Sequence, residues 1–427
     1  MKKLSELNVF RAFRSSNYSL YFVGRSVSQF GTWMQRTAVI WVVYSITHSA
    51  FLIGVTIFAE QFPTFIFSFV GGVTADRYNR YKIIYITQVL SIIQAVLLAI
   101  LAITGHMVIW MILVLSVILG IINAFDVPAR QTLIHEVVAD PADLPNAVSL
   151  TTSMASLAQM LGPALSGIVL NEFGAAVCFL INAASFGAVM LSLMLMKLPP
   201  SKPRKSESNI MNEFREGFIY LKEARVIRLT ILMLALISLL VLPYNTLIPV
   251  FAKVIFHGNA STFGYINSFI GAGAVAATMY IASRKTGSNL KQILFVSTII
   301  LSIGLICFGL VKNFPVAMFF AVVAGFGSIA QFTISNIIVQ TESEPRMRGR
   351  SISILLMAVF GMTPLGSVII GAVSEHIGAP ITVITQGVIA LILALFFIKF
   401  LTGRTISYTK PHIIADGAEE EFIEHVR

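Results

Sequence analysis

Four polar residues stand inside the first long apolar run of this chain: Arg25, Gln29, Thr32 and Arg36. Their steps of four, three and four place them on one face of a helix. The next apolar run carries Glu60, the one carboxylate deep inside any apolar stretch of the sequence. A charge at the centre of a bilayer costs about 3 kcal/mol on insertion scales, so each needs a partner or a water-filled cavity. If the two runs are antiparallel helices, a rise of about 1.5 Å per residue sets Glu60 near mid-depth, with Arg36 about one turn further out. Arg25 then lies about three turns nearer the N-terminal side than Arg36. This geometry predicts an Arg36–Glu60 pair and leaves Arg25 free to meet something else. Desolvation favours the neutral form of a carboxyl, and a neighbouring guanidinium favours the charged form. A group balanced between those pulls can take up and release a proton. The same pair can equally be a permanent structural ion pair, and the sequence leaves both readings open.

The elements that must position these residues recur along the whole chain. Of 427 residues 56% are hydrophobic and 12% charged, with a mean hydropathy of +0.83; soluble domains carry about 25% charged residues. A membrane-crossing helix needs about 20 apolar residues. Twelve such spans are predicted, at residues 18–45, 50–73, 83–104, 108–125, 144–170 and 175–196, then 226–249, 261–282, 290–311, 315–339, 351–373 and 381–400. With the N-terminus inside the cell, 26 of the 30 Lys and Arg residues fall on cytoplasmic segments. Lys253 and Lys312 fall outside, and Arg25 and Arg36 lie within span one. Short cationic loops stay in the cytoplasm, so both termini are expected there. The +10 net charge is scattered over short loops with no single basic face, which argues against nucleic acid as a partner. Residues 1–17 are polar and basic, and the apolar run that follows is too long for the core of a cleavable signal.

The two halves look related. A shift of 204 lays Gly162, Gly167 and Gly174 on Gly366, Gly371 and Gly378. The expected fold is an all-α membrane protein of twelve transmembrane helices in two pseudo-symmetric six-helix bundles, with a substrate site between them near mid-depth. The bundles occupy residues 1–197 and 226–401. Between them, residues 198–225 form a linker in which Ile210, Phe214, Phe218 and Leu221 recur at helical spacing beside Glu213, Arg215, Glu216 and Lys222. That pattern predicts an amphipathic helix on the inner membrane surface. Residues 402–427, with Glu419, Glu420 and Glu421, read as a solvated tail.

Candidate cavity residues are Arg25, Gln29, Trp33, Gln61, Asn123, Asn245, Asn267 and Gln331, with Gln159, Asn182, Asn336 and Gln386 as further polar positions. Taken singly, each of the amides suits an interhelical hydrogen bond as well as a ligand contact. Small residues at four-residue steps (Ala158, Gly162 and Ser166; Gly264, Ser268, Ala272 and Ala276) mark two helices whose backbones can approach closely. Cys178 and Cys307 lie in apolar runs without metal-ligand spacing and read as buried thiols. No phosphate-binding loop, zinc-protease motif or nucleophile–base pair is present in the sequence, so neither an enzyme nor an ATP-driven pump is expected.

The loop Gly72-Val73-Thr74-Ala75-Asp76-Arg77-Tyr78-Asn79-Arg80-Tyr81-Lys82, between spans two and three, resembles the loop signature of the major facilitator superfamily, with Asn79 where that signature has glycine. Gly162-Pro163 with Ser166-Gly167 resembles the span-five signature of antiporters. Asp126-Val127-Pro128-Ala129-Arg130-Gln131, Arg348-Gly349-Arg350 and Pro364-Leu365-Gly366-Ser367 resemble segments of the enterobactin-exporter group, which includes macrolide and other drug effluxers. The resemblance implies a cytoplasmic gate in which Asp76 faces residues 349–351 at the start of span eleven and Arg80 faces Asp126. Gly72, Arg77, Arg130 and Arg350 belong to the same gate. The corresponding loop of the second half, residues 283–287, lacks the aspartate, so no symmetric second latch is expected there. The resemblance further implies a monomeric, multi-pass protein of a bacterial inner membrane that exports amphiphilic small molecules, siderophores or drugs, by alternating access. The proton gradient would supply the energy, with no cofactor or metal. Import on the same fold is the alternative; a non-transporting scaffold or sensor would leave Arg25, Arg36 and Glu60 unexplained.

Overall fold

A computed structural model describes residues 8–196, 210–284 and 289–402. Residues 198–209 of the linker, 285–287 of the loop after span eight and the acidic tail lie outside the described residues. Span one is Ser16–Thr47, followed by Ala50–Arg77, Arg80–Ile103, Ile109–Val137, Leu144–Phe173 and Ala175–Leu195. The linker helix is Ile210–Glu223. Spans seven to twelve are Arg225–Leu240, Ala260–Ala282, Leu290–Leu310, Phe314–Glu342, Arg348–Ile377 and Ala379–Phe396. Eleven described helices are long and apolar enough to cross a membrane. Span one is long enough but is diluted by Arg25, Ser26, Ser28, Gln29, Thr32, Gln35 and Arg36. Span seven continues past Leu240 as short irregular turns to Ile255, broken where Pro243 and Pro249 remove backbone donors.

The spans are built inside-out relative to a soluble helix. Span three exposes Ile86, Leu90, Ile93, Leu97 and Ile100, one stripe at steps of four and three, and buries Thr87, Gln88, Ser91 and Gln94. Apolar stripes face hydrocarbon, and polar side chains find partners within the bundle. Span one packs on spans five and six, span two on span four, and span three on span six. In the second half span eight packs on span ten, span eleven on span seven, and span nine on spans ten and twelve.

Spans two and eleven, and spans five and eight, form the contact between the halves. The shifted glycines occupy equivalent places in the two halves, one pair of them within this contact. Gly167 lies against the Ala260 carbonyl of span eight, and Gly371 against the Ala50 carbonyl of span two. Gly162 faces span one at Trp33, and Gly366 faces span seven at Leu239. Gly174 and Gly378 end spans five and eleven with φ of +81° and +86°, where a side chain would be strained.

These contacts do not run the full depth. Gly54 meets Ser367, Gly361 meets Phe65, and Gly271 meets Met160. Beyond Phe65 the five residues from Ile66 to Val70 are all exposed, more than one helical turn, so the side turned to span eleven is bare as well. Thr278, Met279 and Tyr280 of span eight are likewise exposed. The halves are therefore closed from mid-depth to the face that holds the span one–span two turn. They part toward the face that holds the linker helix, called here the linker face.

Candidate functional site

Arg36 and Glu60 meet as expected. Arg36 Nη2 donates to Glu60 Oε1 at 2.5 Å and Nε donates to the same oxygen at 3.2 Å. The arginine side chain is 34% exposed and the glutamate 15%. Arg36 also lies 5.4 Å from the centroid of the Trp33 ring, within range of a cation–π contact. Trp33 in turn fills the space that Gly162 leaves open on span five. One turn on, Ser166 Oγ donates to the Met34 carbonyl at 2.9 Å. Gly162 and Ser166 thus hold span one, whereas Pro163 and Gly167 hold Gly264 and Ala260 of span eight. The antiporter-like segment serves two interfaces from adjoining faces of one helix.

Arg25 is partly exposed, with no ion pair or hydrogen bond among the described residues. Asp126 is already well supplied. Its Oδ1 accepts from Thr87 Oγ1 at 2.8 Å and from Gln88 Nε2 at 3.1 Å, and its Oδ2 accepts from Arg130 Nε. Arg130 Nη1 is buried without a partner. Thr87, Gln88 and Arg130 thus occupy the Asp126 carboxylate, and Arg130 keeps one buried nitrogen to spare.

Of the other candidate cavity residues, Gln29, Gln61 and Asn123 are half-buried, and Asn245 is exposed at the break in span seven. Asn267 is half-buried and donates to the Phe263 carbonyl of its own helix at 2.9 Å. Gln331 does not line a cavity. It is fully buried and accepts from Thr298 of span nine at 2.7 Å. Asn182 and Gln386 are likewise inside their bundles. Asn182 donates to Gln35 at 2.9 Å, Gln35 donates to Gln94 at 3.0 Å, and Gln386 bonds the Val241 carbonyl at 3.1 Å. Amides on inward faces find each other before they find a ligand.

The expected gate is rearranged in two ways. Arg80 pairs with Glu136, not with Asp126, and its Nε donates to the Ala75 carbonyl at 3.3 Å. The reason is that span four continues to Val137 instead of ending at Phe125, so Glu136 is the acid at its linker-face end and Asp126 lies deeper. Asp76 does not touch residues 349–351. It is exposed, as is Arg77, and a side chain begun at Gly72 or Gly349 would meet open space. The parting of spans two and eleven at this face separates them. Arg350 pairs instead with Glu216 of the linker helix, where Gly217 lies against Ile354 and Arg350, and the Glu344 amide donates to the Tyr220 hydroxyl at 3.1 Å. Reading from sequence missed Glu136, Glu216 and the Gln35–Gln94–Asn182 chain, because each depends on where a helix ends or which face it turns.

Residues 8–410 match the family described as transmembrane secretion effector. The chain is 26% identical to the staphyloferrin A transporter of Staphylococcus aureus, over 88% of this chain and 94% of that protein. It is 20% identical to macrolide efflux protein A of Streptococcus pyogenes, over 89% and 96%. Among solved structures, a bacterial homolog of the human lysosomal transporter Spinster, in an inward-facing and unoccupied conformation, superposes with a TM-score of 0.70 at 16% identity. That match covers 90% of this chain and 97% of the other.

Proposed function

This chain belongs to the transmembrane secretion effector family of major facilitator transporters, is a multi-pass membrane transporter and not an enzyme, and on that premise we propose that it is a proton-coupled exporter. The observation that carries this reading is the Arg36–Glu60 pair, an ionisable couple at mid-depth on helices one and two. Intramembrane ionisable groups of this kind mark ion and substrate pathways. Glu60 exchanges the proton and Arg36 restrains it. The linker face is cytoplasmic, both termini lie there, and the structure is then the inward-facing state of an alternating-access cycle. The protein works as a monomer in a bacterial inner membrane, with the proton gradient as its energy source and no cofactor or nucleic-acid partner.

The cargo is an amphiphilic small molecule, of siderophore or drug type as in the names of its relatives. Arg25, with Arg130 behind it, receives an anionic or catecholate-like group. Gln29, Trp33, Gln61, Asn123, Asn245 and Asn267 line the path. On the cytoplasmic side Gly72, Asp76 and Arg77 close against residues 349–351 in the opposite state, while Arg80 is anchored on Glu136. Inside-out membrane vesicles given a radiolabelled siderophore or macrolide in the medium test the proposal. Uphill accumulation that collapses with an uncoupler is expected. Accumulation indifferent to the uncoupler, or found only in right-side-out vesicles, would overturn proton coupling or export respectively.

A further inference from the structure

Spans two and eleven cross the boundary between the halves as antiparallel neighbours, so each end of the pair sets the N-terminus of one helix beside the C-terminus of the other. Both helices carry a carboxylate in their last turns, Asp76 on span two and Glu375 on span eleven. A carboxylate there opposes the dipole of its own helix and is better placed at a helix N-terminus, where free N–H groups await acceptors. On the closed face that exchange is made. Glu375 Oε1 accepts from Ser49 Oγ, the N-cap of span two, and from the Phe51 amide at 3.3 Å. The Gly371 backbone, one turn earlier, lies against Ala50 and Phe51, so the carboxylate is delivered at close range.

On the linker face the matching parts stand apart. Asp76 is exposed and has no hydrogen bond or ion pair among the described residues. The N-terminus of span eleven has no side-chain cap and no acid in its first turn, and Ser351 Oγ is buried there without a partner.

We propose that Glu375 is the lock of the outer face: its carboxylate, seated on the N-terminus of span two, holds the inward-facing state, and the cycle exchanges it against Asp76 seated on the N-terminus of span eleven. Because the Glu375 contact joins residues of opposite halves, it must break before the outer face opens. The absence of an aspartate in the loop of residues 283–287 is then no defect in the symmetry, since the second lock sits on span eleven at the other face. This inference rests on the alternating-access reading above.

Spin labels on Tyr78→Cys and Ser353→Cys, both exposed on the linker face, report its opening as a distance distribution, in a protein whose Cys178 and Cys307 are changed to alanine. Glu375→Gln keeps the shape and an acceptor but removes the charge. It is expected to lower the ratio of the long to the short distance about three- to tenfold, the difference between a charge-assisted and a neutral hydrogen bond. Ser49→Ala shifts the ratio the same way, and Asp76→Asn shifts it the other way. A ratio that ignores both Glu375→Gln and Ser49→Ala overturns the lock while leaving alternating access intact. One unvarying distance in every variant overturns alternating access itself.

Discussion

Replacing Glu60 by glutamine separates coupling from packing. The substitution keeps a carbonyl oxygen for the two donors of Arg36, at 2.5 and 3.2 Å, but its amide cannot change protonation state. Stranding one member of a fully buried ion pair costs about 3–5 kcal/mol. Here the cost is smaller, because the Arg36 side chain is 34% exposed and its guanidinium lies 5.4 Å from the Trp33 ring. A loss of about 1–3 kcal/mol is expected, seen as a drop of a few degrees in the melting temperature of the solubilised protein. The functional loss is of another kind. In proteoliposomes, uphill transport driven by an imposed pH gradient falls to the level an uncoupler leaves, because no group at that depth cycles its proton. Exchange of labelled for unlabelled substrate, which needs no net proton movement, survives. If Glu60→Gln still drives accumulation that collapses with the uncoupler, Glu60 is a structural partner of Arg36 and coupling lies elsewhere.

Gly162→Val overpacks the span one–span five contact, since a Cβ there would lie 2.6 Å from Trp33 Cβ. The expected cost is about 1–3 kcal/mol in thermal unfolding. Arg25→Gln removes a guanidinium that has no ion pair among the described residues. It should raise the KM for a carboxylate-bearing probe while leaving that of an uncharged analogue of the same size unchanged, in vesicle transport. Glu216→Gln cuts an ion pair whose glutamate is about half exposed. Such pairs contribute about 0.2–1 kcal/mol, so amide exchange across residues 216–221 should quicken by no more than about fivefold.

The architecture was legible because membrane insertion writes itself into long apolar windows, and the pairing of Arg36 with Glu60 followed from two depths on two adjacent helices. The internal repeat was legible in three glycines, two of which make close approaches in both halves while the third ends spans five and eleven at positive φ. What failed, failed for local reasons. Span four looks finished at Phe125 because Asp126 and Arg130 break its hydropathy, yet they pair with each other one turn apart and the helix carries on to Glu136 and Val137. Gln331 looks like a ligand contact because an amide in an apolar run is conspicuous, and Thr298 on the neighbouring helix satisfies part of it. Glu216 and Glu375 look like solvated charges until the helix ends they meet are known.

One turn of span five ties these parts together. Gly162 admits Trp33, whose ring lies under Arg36, the partner of Glu60, while Pro163 and Gly167 on the adjoining face of the turn lie against Gly264 and Ala260 of span eight. No side chain at 162 or 167 cushions either contact: the Trp33 side chain meets the backbone of one and the Ala260 carbonyl that of the other, and packed interiors yield little. A rocking of the halves that slides span eight along span five therefore moves the shelf on which Trp33 rests. If Glu60 carries the proton as proposed, protonation would release Arg36 and loosen the pairing on which that shelf bears. On this reading the conformational cycle and the proton share one structural element, residues 162–167, and need no longer path between them.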